Sequence, residues 1–154
     1  MYLCASVVSV AVLSFQPSII GGMRALMATT GSGYSTIVID HFQNPRNVGE
    51  LADADAQASV SNPVCGDVLQ LMLKIRDGRI AAARFKTFGC EAAIAASSLL
   101  TEMIQGRTLT DVQEITPEMI TTALGGLPKV KLHAASLAEE ALKEALAHYG
   151  ASHG

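Results

Sequence analysis

Leu69-Gln70-Leu71-Met72-Leu73-Lys74-Ile75-Arg76-Asp77-Gly78 and the run that follows it, Arg79 to Phe88, decide the fold. Leu69, Leu71, Leu73 and Ile75 alternate with Gln70, Met72, Lys74 and Arg76, the period-two pattern of a half-buried strand. Asp-Gly between two such runs is a two-residue hairpin signal, because both central positions of the favoured turn need positive φ. Its partner strand puts Ala83, Phe85 and Thr87 on one face and Arg84 and Lys86 on the other. Upstream, Ala56 to Asn62 reads as a weaker strand, so three strands with short connections predict an antiparallel meander covered on one face.

Helical signals flank this sheet. Ser35 is placed to cap a short helix through Ile37, Val38 and His41, stopped near Pro45, and Asn44-Pro45-Arg46-Asn47-Val48-Gly49 is turn chemistry throughout. After Gly89-Cys90 an Ala- and Leu-rich helix is expected over Glu91–Gln105, closed by Gly106. Thr110 with Gln113 reads as a capping box, Thr116-Pro117 as another helix start, and Gly125-Gly126-Leu127-Pro128 as a break. The last helix is expected from about Val130 to Tyr149, its apolar stripe made of Val130, Ala134, Leu137, Ala138, Ala141, Leu142, Ala145, Leu146 and Tyr149. Strands first and helices after predict an α+β domain with helices packed on a small three-stranded antiparallel sheet.

Composition narrows the function classes. A net charge of −3 with scattered Lys and Arg gives no basic footprint, and 5% aromatics with no Trp gives no stacking platform, so no nucleic acid is expected. Three cysteines, Cys4, Cys65 and Cys90, make a poor disulfide framework and fit a reducing, cytoplasmic setting in which thiols stay free for metal or sulfur chemistry. Residues 1–33 differ from the rest: Tyr2 to Ile20 carry no charge, and the first basic residue is Arg24. A secretory signal would place positive charge ahead of its apolar run, and a transit peptide would be Arg-rich. Ser9, Ser14, Gln16, Pro17 and Ser18 interrupt the run, which speaks against stable membrane insertion. The expectation is an extension that is disordered or comes from an upstream start, with Met23 or Met27 as the first residue, preceding a domain over 34–150.

Chemistry concentrates around Asn62-Pro63-Val64-Cys65-Gly66-Asp67. Pro63 fixes its φ and Gly66 frees its own, so a thiol and a carboxylate two positions apart sit on a stiffened turn. Pairing across Asp77-Gly78 brings Val68 and Phe88 to one end of the sheet, and with them Cys65, Asp67 and Cys90. Cys90 opens a helix, where the positive dipole end suits an anionic sulfur, and His133 lies in the first turn of the last helix. Two thiolates, one imidazole and one carboxylate form a legitimate tetrahedral set for zinc and also for iron. Each residue alone has an ordinary reading as well: a small buried Cys, a turn-forming Asp, a solvated helix-start His.

Ile39-Asp40-His41-Phe42-Gln43-Asn44-Pro45-Arg46-Asn47-Val48-Gly49, Cys65-Gly66-Asp67-Val68, Ala83 to Cys90, Leu127 to His133 and Leu137 to Ala141 together resemble the IscU/NifU-type iron–sulfur cluster assembly scaffolds over Tyr34–Tyr149. The resemblance implies an IscU/SufE-like α+β fold and a non-enzymatic scaffold or carrier that assembles or holds a labile 2Fe–2S cluster, or iron, for transfer. It implies that Cys65, Asp67, Cys90 and His133 match the ligand positions, and that a cysteine desulfurase and recipient apoproteins are partners. A third cysteine follows the histidine in the family, where this chain has Ala134; an alanine methyl neither binds iron nor carries a persulfide. Glu91 stands where a glycine is usual. Leu127–Lys131 resembles a segment read by a heat-shock chaperone, with Lys129 replacing a second proline, which weighs against that contact. The alternatives are a zinc-binding regulator of the assembly machinery and a persulfide sulfur carrier using Cys90 as nucleophile.

Overall fold

The computed structural model describes residues 33–153, so the expected extension lies outside the described residues apart from Gly33. The sheet is the expected meander. Strands β1 (Ala56–Asn62), β2 (Asp67–Arg76) and β3 (Arg79–Phe88) pair antiparallel in the order β1-β2-β3. Asp77 and Gly78 have φ of 51° and 70°, the double positive φ that a two-residue turn requires, and Arg76 pairs with Arg79 across it. The register slips once between Lys74 and Ile75, so that Ile75 faces Ile80 while Leu73 faces Ala83. This bulge explains why Ile80, three positions before Ala83 rather than two, is also fully buried.

Among the described residues five α-helices follow the expected order: α1 (Thr36–Gln43), α2 (Glu91–Ile104), α3 (Leu109–Gln113), α4 (Pro117–Ala123) and α5 (His133–His153). Leu69, Leu71 and Leu73 are fully buried with Phe85, and α2 and α5 bring Ala92, Ala93, Ala95, Ala96, Ala135, Ala138, Ala141 and Ala145 into the same core. Side chains this small let helix and sheet approach closely, and Leu100, Leu142 and Ile104 fill the space between. Met72, expected on the polar face, is 3% exposed; its register partners Gln57 and Arg84 flank it, and long polar side chains cover apolar neighbours with their stems.

Two helix starts differ from expectation. The capping box belongs to Thr108 and Asp111, not Thr110 and Gln113: the Asp111 N–H donates to Thr108 Oγ1 at 3.1 Å and the Thr108 N–H to Asp111 Oδ2 at 3.4 Å. Thr108 is held extended by its bridge to Arg79, so the helix begins only beyond it. The last helix starts at His133, because Pro128 leads into a 3-10 turn at Lys129–Lys131 whose Lys131 N–H reaches back to the Pro128 carbonyl at 2.7 Å. Three residues per turn rotate Val130 off the stripe, and it is 77% exposed.

The Asn44–Gly49 turn is a strap across the β3 edge. Asn47, at φ 62°, accepts the Phe85 N–H at 3.1 Å, and the Gly49 N–H donates to the Phe85 carbonyl at 2.9 Å. The strap is fastened to α2, since Ser98 Oγ accepts the Arg46 N–H at 2.8 Å and Asn47 Nδ2 donates to Thr101 Oγ1 at 3.0 Å. Ser98 Oγ also lies 2.8 Å from Nδ1 of the buried His41, leaving its hydroxyl proton for that nitrogen. Burial, aided by Arg46, holds the His41 pKa below the ordinary 6.5, against the opposing pull of Glu102 and Asp40.

The sign of the resulting pH dependence is fixed. Above about 6.5 His41 is neutral in both folded and unfolded chains; as pH falls below it, the unfolded chain takes the proton first and the fold loses stability. Urea midpoints measured at about pH 7.5 and about 5.5 should therefore fall more in the wild-type chain than in His41→Gln, which cannot titrate.

Candidate metal centre

Asn62 builds the turn that carries the first thiol. Its side-chain carbonyl accepts the Val64 N–H at 2.9 Å and its backbone carbonyl the Gly66 N–H at 2.8 Å, while Gly66 takes φ of 71°. Cys65 is thereby exposed at the tip. Asp67, expected in the loop, is instead the first residue of β2, paired with Asn62 and only 2% exposed. Chain reversal is complete by Gly66, so the ladder begins one residue sooner than a loop reading allows.

A buried carboxylate needs partners. Cys90 provides them: its N–H donates to Asp67 Oδ1 at 3.0 Å and its Sγ lies 3.5 Å from Asp67 Oδ2. Cys90 is the N-cap of α2 and makes no side-chain cap bond, so its sulfur remains free to face the carboxylate. This close approach depends on Gly89. A Cβ there would lie 2.5 Å from Asp67 Oδ1 and 2.8 Å from Cγ.

From the other side α5 delivers His133. Its Nε2 is 3.0 Å from Cys65 Sγ and 3.7 Å from Asp67 Oδ2. Ligand atoms of Cys65, Asp67 and His133 all fall within 4.8 Å of one another, and Cys90 joins them through Asp67. All four residues named from the sequence meet at one end of the sheet. A cleft of about 390 Å³, lined by Cys65, Gly66, Asp67, Thr87, Phe88, Gly89, Cys90 and Ile94, opens beside them. The donor chemistry, two sulfurs, one nitrogen and one buried carboxylate, fits a thiophilic metal or an iron–sulfur cluster.

Residues outside that set shape its electrostatics. The charge of Cys90, followed by that of Tyr34, holds the Lys131 ammonium above its ordinary range, and burial pushes up the Tyr34 phenol. A lysine two residues ahead of His133 thus places positive charge beside the thiols. Sequence reading passed over Lys131 and Tyr34 as site residues, and also Gly89; only the spacing Lys131-x-His133 carries any signal for the first. Glu91 is exposed, and Ala134 is buried in the core at 1% exposure.

Comparison with known proteins follows the same lines. The family model described as the NifU-like N terminal domain matches residues 33–154. The chain is 50% identical over 121 residues to the iron–sulfur cluster assembly scaffold protein IscU 1 of Archaeoglobus fulgidus, covering 79% of each chain. It is 48% identical over 125 residues to the scaffold protein IscU of Haemophilus influenzae, covering 79% of this chain and 98% of that one. The IscU of Escherichia coli K12 is 48% identical over 120 residues, covering 75% and 93%. In fold, it is similar to the N-terminal part of a NifU-like protein from Brucella abortus, with a TM-score of 0.61 at 19% identity over 76% of this chain and 94% of that one. A putative scaffold protein from Fervidobacterium islandicum gives 0.59 at 20% identity, over 73% and 96%.

Proposed function

The chain belongs to the NifU-like N terminal domain family and its role is that of an iron–sulfur cluster assembly scaffold; we propose that Cys65, Asp67, Cys90 and His133 are the donors through which it holds its cargo, a 2Fe–2S cluster. The observation carrying this reading is the convergence of Cys65, Asp67 and His133 within 4.8 Å of one another, with Cys90 joined to them by the hydrogen bond from its N–H to Asp67. The cluster is cargo, and the chain does no catalysis on it.

Mixed ligation suits temporary custody. Thiolates bind iron softly and firmly, whereas a carboxylate oxygen and an imidazole hold it less tightly than two further thiolates would. Cys65 is exposed, so an incoming acceptor thiol has access to one edge of the site. A cysteine desulfurase supplies sulfur in this reading, and recipient apoproteins take the cluster away. Leu127–Lys131, with Val130 exposed in its 3-10 turn, is the candidate chaperone contact, against which Lys129 weighs. Among the described residues no helix is long and apolar enough to cross a membrane.

The test is transfer. The reconstituted chain should pass its cluster to an apo 2Fe–2S acceptor protein, read by the acceptor's own circular dichroism. A cluster that stays on the chain in the presence of excess acceptor would sink the proposal.

Zinc is the second reading, because Cys65, Asp67 and His133 lie close enough to share one ion, with the Cys90 sulfur 3.5 Å from Asp67 as the candidate fourth donor. It predicts one zinc per chain, retained against an iron and sulfide supply; elemental analysis separates the two.

A further inference from the structure

The outer edge of β3 is filled step by step along its length until it reaches the site. Backbone groups of successive strand residues point alternately to either side, and β2 takes one side of β3. On the other side, Ile80 donates its N–H to the Arg107 carbonyl at 3.0 Å and accepts the Gly106 N–H at 2.7 Å. The Ala83 carbonyl accepts from Gln105 Nε2 at 3.3 Å, and Phe85 exchanges both of its groups with the strap, whose Val48 bridges it in the parallel sense. Thr87 comes next in this alternation. It pairs with Leu69, two steps on from Phe85 and Leu71, so its N–H and carbonyl also point away from β2. Among the described residues neither group has a hydrogen-bond partner, while the Thr87 hydroxyl is spent on the Val68 carbonyl at 2.8 Å. An open step of this kind is a template for another extended chain.

The open step is also a wall of the metal cleft, which Thr87 and Phe88 line together with Cys65, Asp67 and Cys90. A residue paired opposite Thr87 turns its side chain to the same face as Thr87, the face that Leu69 and Asp67 share. Its two neighbours fall on the solvent face beside Lys86 and beside Phe88, which is 82% exposed. Charge selects among segments that could lie there. Arg84 and Lys86 occupy the solvent face of β3, and Lys131 stands beside Cys90. Against them stand Glu50, paired with Lys86, and Glu91 in the first turn of α2, so the edge keeps a net positive charge that favours an acidic segment. The chemistry of transfer makes the last selection: a recipient must bring its own cysteines to the donors, and the position opposite Thr87 faces them.

We propose that the backbone of Thr87 is a docking edge on which an extended, acidic, cysteine-bearing segment of the recipient apoprotein adds as a short strand, placing a thiol beside Asp67 and Cys90. The strap is the precedent within the chain, because it holds Phe85 by the same two backbone hydrogen bonds one step earlier. Main-chain bonds would supply the affinity and the alternating side chains the choice of partner. The proposal rests on the scaffold reading, since only a chain that gives up its cargo needs a recipient's thiols at this wall.

Two measurements test it. The first reads the metal-free full chain: amide exchange followed by NMR should slow at Thr87 by about fivefold or more in excess apo 2Fe–2S acceptor protein, while the Phe85 amide, already bonded, changes less. The second reads cluster transfer to the same acceptor, below saturation. Thr87→Pro deletes the outward N–H, a change that a strand edge accepts on its open side, whereas Thr87→Ala keeps it and loses only the hydroxyl. Transfer by Thr87→Pro should be about fivefold slower than by Thr87→Ala, the order expected for one backbone hydrogen bond. Unchanged exchange at Thr87 overturns the docking edge, and so do equal transfer rates in the two variants. Exchange that slows without acceptor as chain concentration rises overturns it as well and assigns the edge to a second copy. A wild-type chain that passes on no cluster counts against the scaffold reading alone, and Thr87 exchange then still decides the docking edge.

Discussion

Cys90→Ser should lose the cluster while leaving the fold as stable as before or slightly more so. The two effects separate because Cys90 does two jobs with different atoms. Its backbone N–H satisfies Asp67 Oδ1 at 3.0 Å whatever the side chain, so the buried carboxylate keeps its partner. Its sulfur is the proposed ligand. As N-cap of α2 it makes no cap bond, and serine is among the preferred residues there, worth about 0.5–1 kcal/mol to the helix. The serine hydroxyl is a hard, protonated donor that replaces a soft thiolate poorly on iron. Reconstituted iron and acid-labile sulfide should drop to about a tenth of wild type or less, with a thermal midpoint equal or a few degrees higher. An undiminished cluster yield would remove Cys90 from the ligand set, and Cys65→Ser tests the other sulfur in the same way.

Gly89→Ala is the second large effect. Gly89 is not in a left-handed conformation, so the penalty is steric rather than conformational. The added methyl would stand 2.5 Å from Asp67 Oδ1, 2.8 Å from its Cγ and 3.0 Å from its Cβ. Asp67 is poorly placed to yield, being 2% exposed and held in the β1–β2 ladder opposite Asn62. Turning its carboxylate away breaks the charge-assisted bond from Cys90, worth about 1.5–3 kcal/mol, and leaves a buried charge under-satisfied. We expect destabilisation of about 2–4 kcal/mol and a cluster released at least about tenfold faster. Combining Gly89→Ala with Asp67→Ala removes the colliding atoms beyond Cβ, so the double variant should be more stable than the sum of the single losses predicts. Strict additivity would mean that Gly89 does not act through Asp67.

These outcomes bear on how much of the molecule can be read from its residues. The sheet was legible because Asp77-Gly78 fixes both turn and register and because Leu69, Leu71, Leu73 and Ile75 declare one face. The bulge at Lys74 and Ile75 was not, since Ala81 and Ala82 look alike and nothing local chooses which is extra. Val130 was assigned to the α5 stripe because its spacing fits 3.6 residues per turn, but the chain there is wound at three. Local winding overrode periodicity.

The site divides in the same manner. Cys65, Asp67 and Cys90 were brought together by strand pairing alone, a topological argument that needs no packing. The 3.0 Å contact between Cys65 and His133 depends on where α5 sits against β1 and β2, and only tertiary packing sets that. Gly89 carried no signal, because a glycine needed for the approach of one carboxylate looks like any turn glycine. Tyr34 and Lys131, both within electrostatic reach of Cys90, are of the same kind.

The measurement that tests the central claim most directly is iron, acid-labile sulfide and zinc analysis with a visible spectrum, after anaerobic reconstitution of the full chain. Stoichiometric iron and sulfide with thiolate-to-iron charge-transfer bands, lost together in Cys65→Ser and Cys90→Ser, is the result predicted here. Tightly held zinc and no cluster under any supply of iron and sulfide would contradict it.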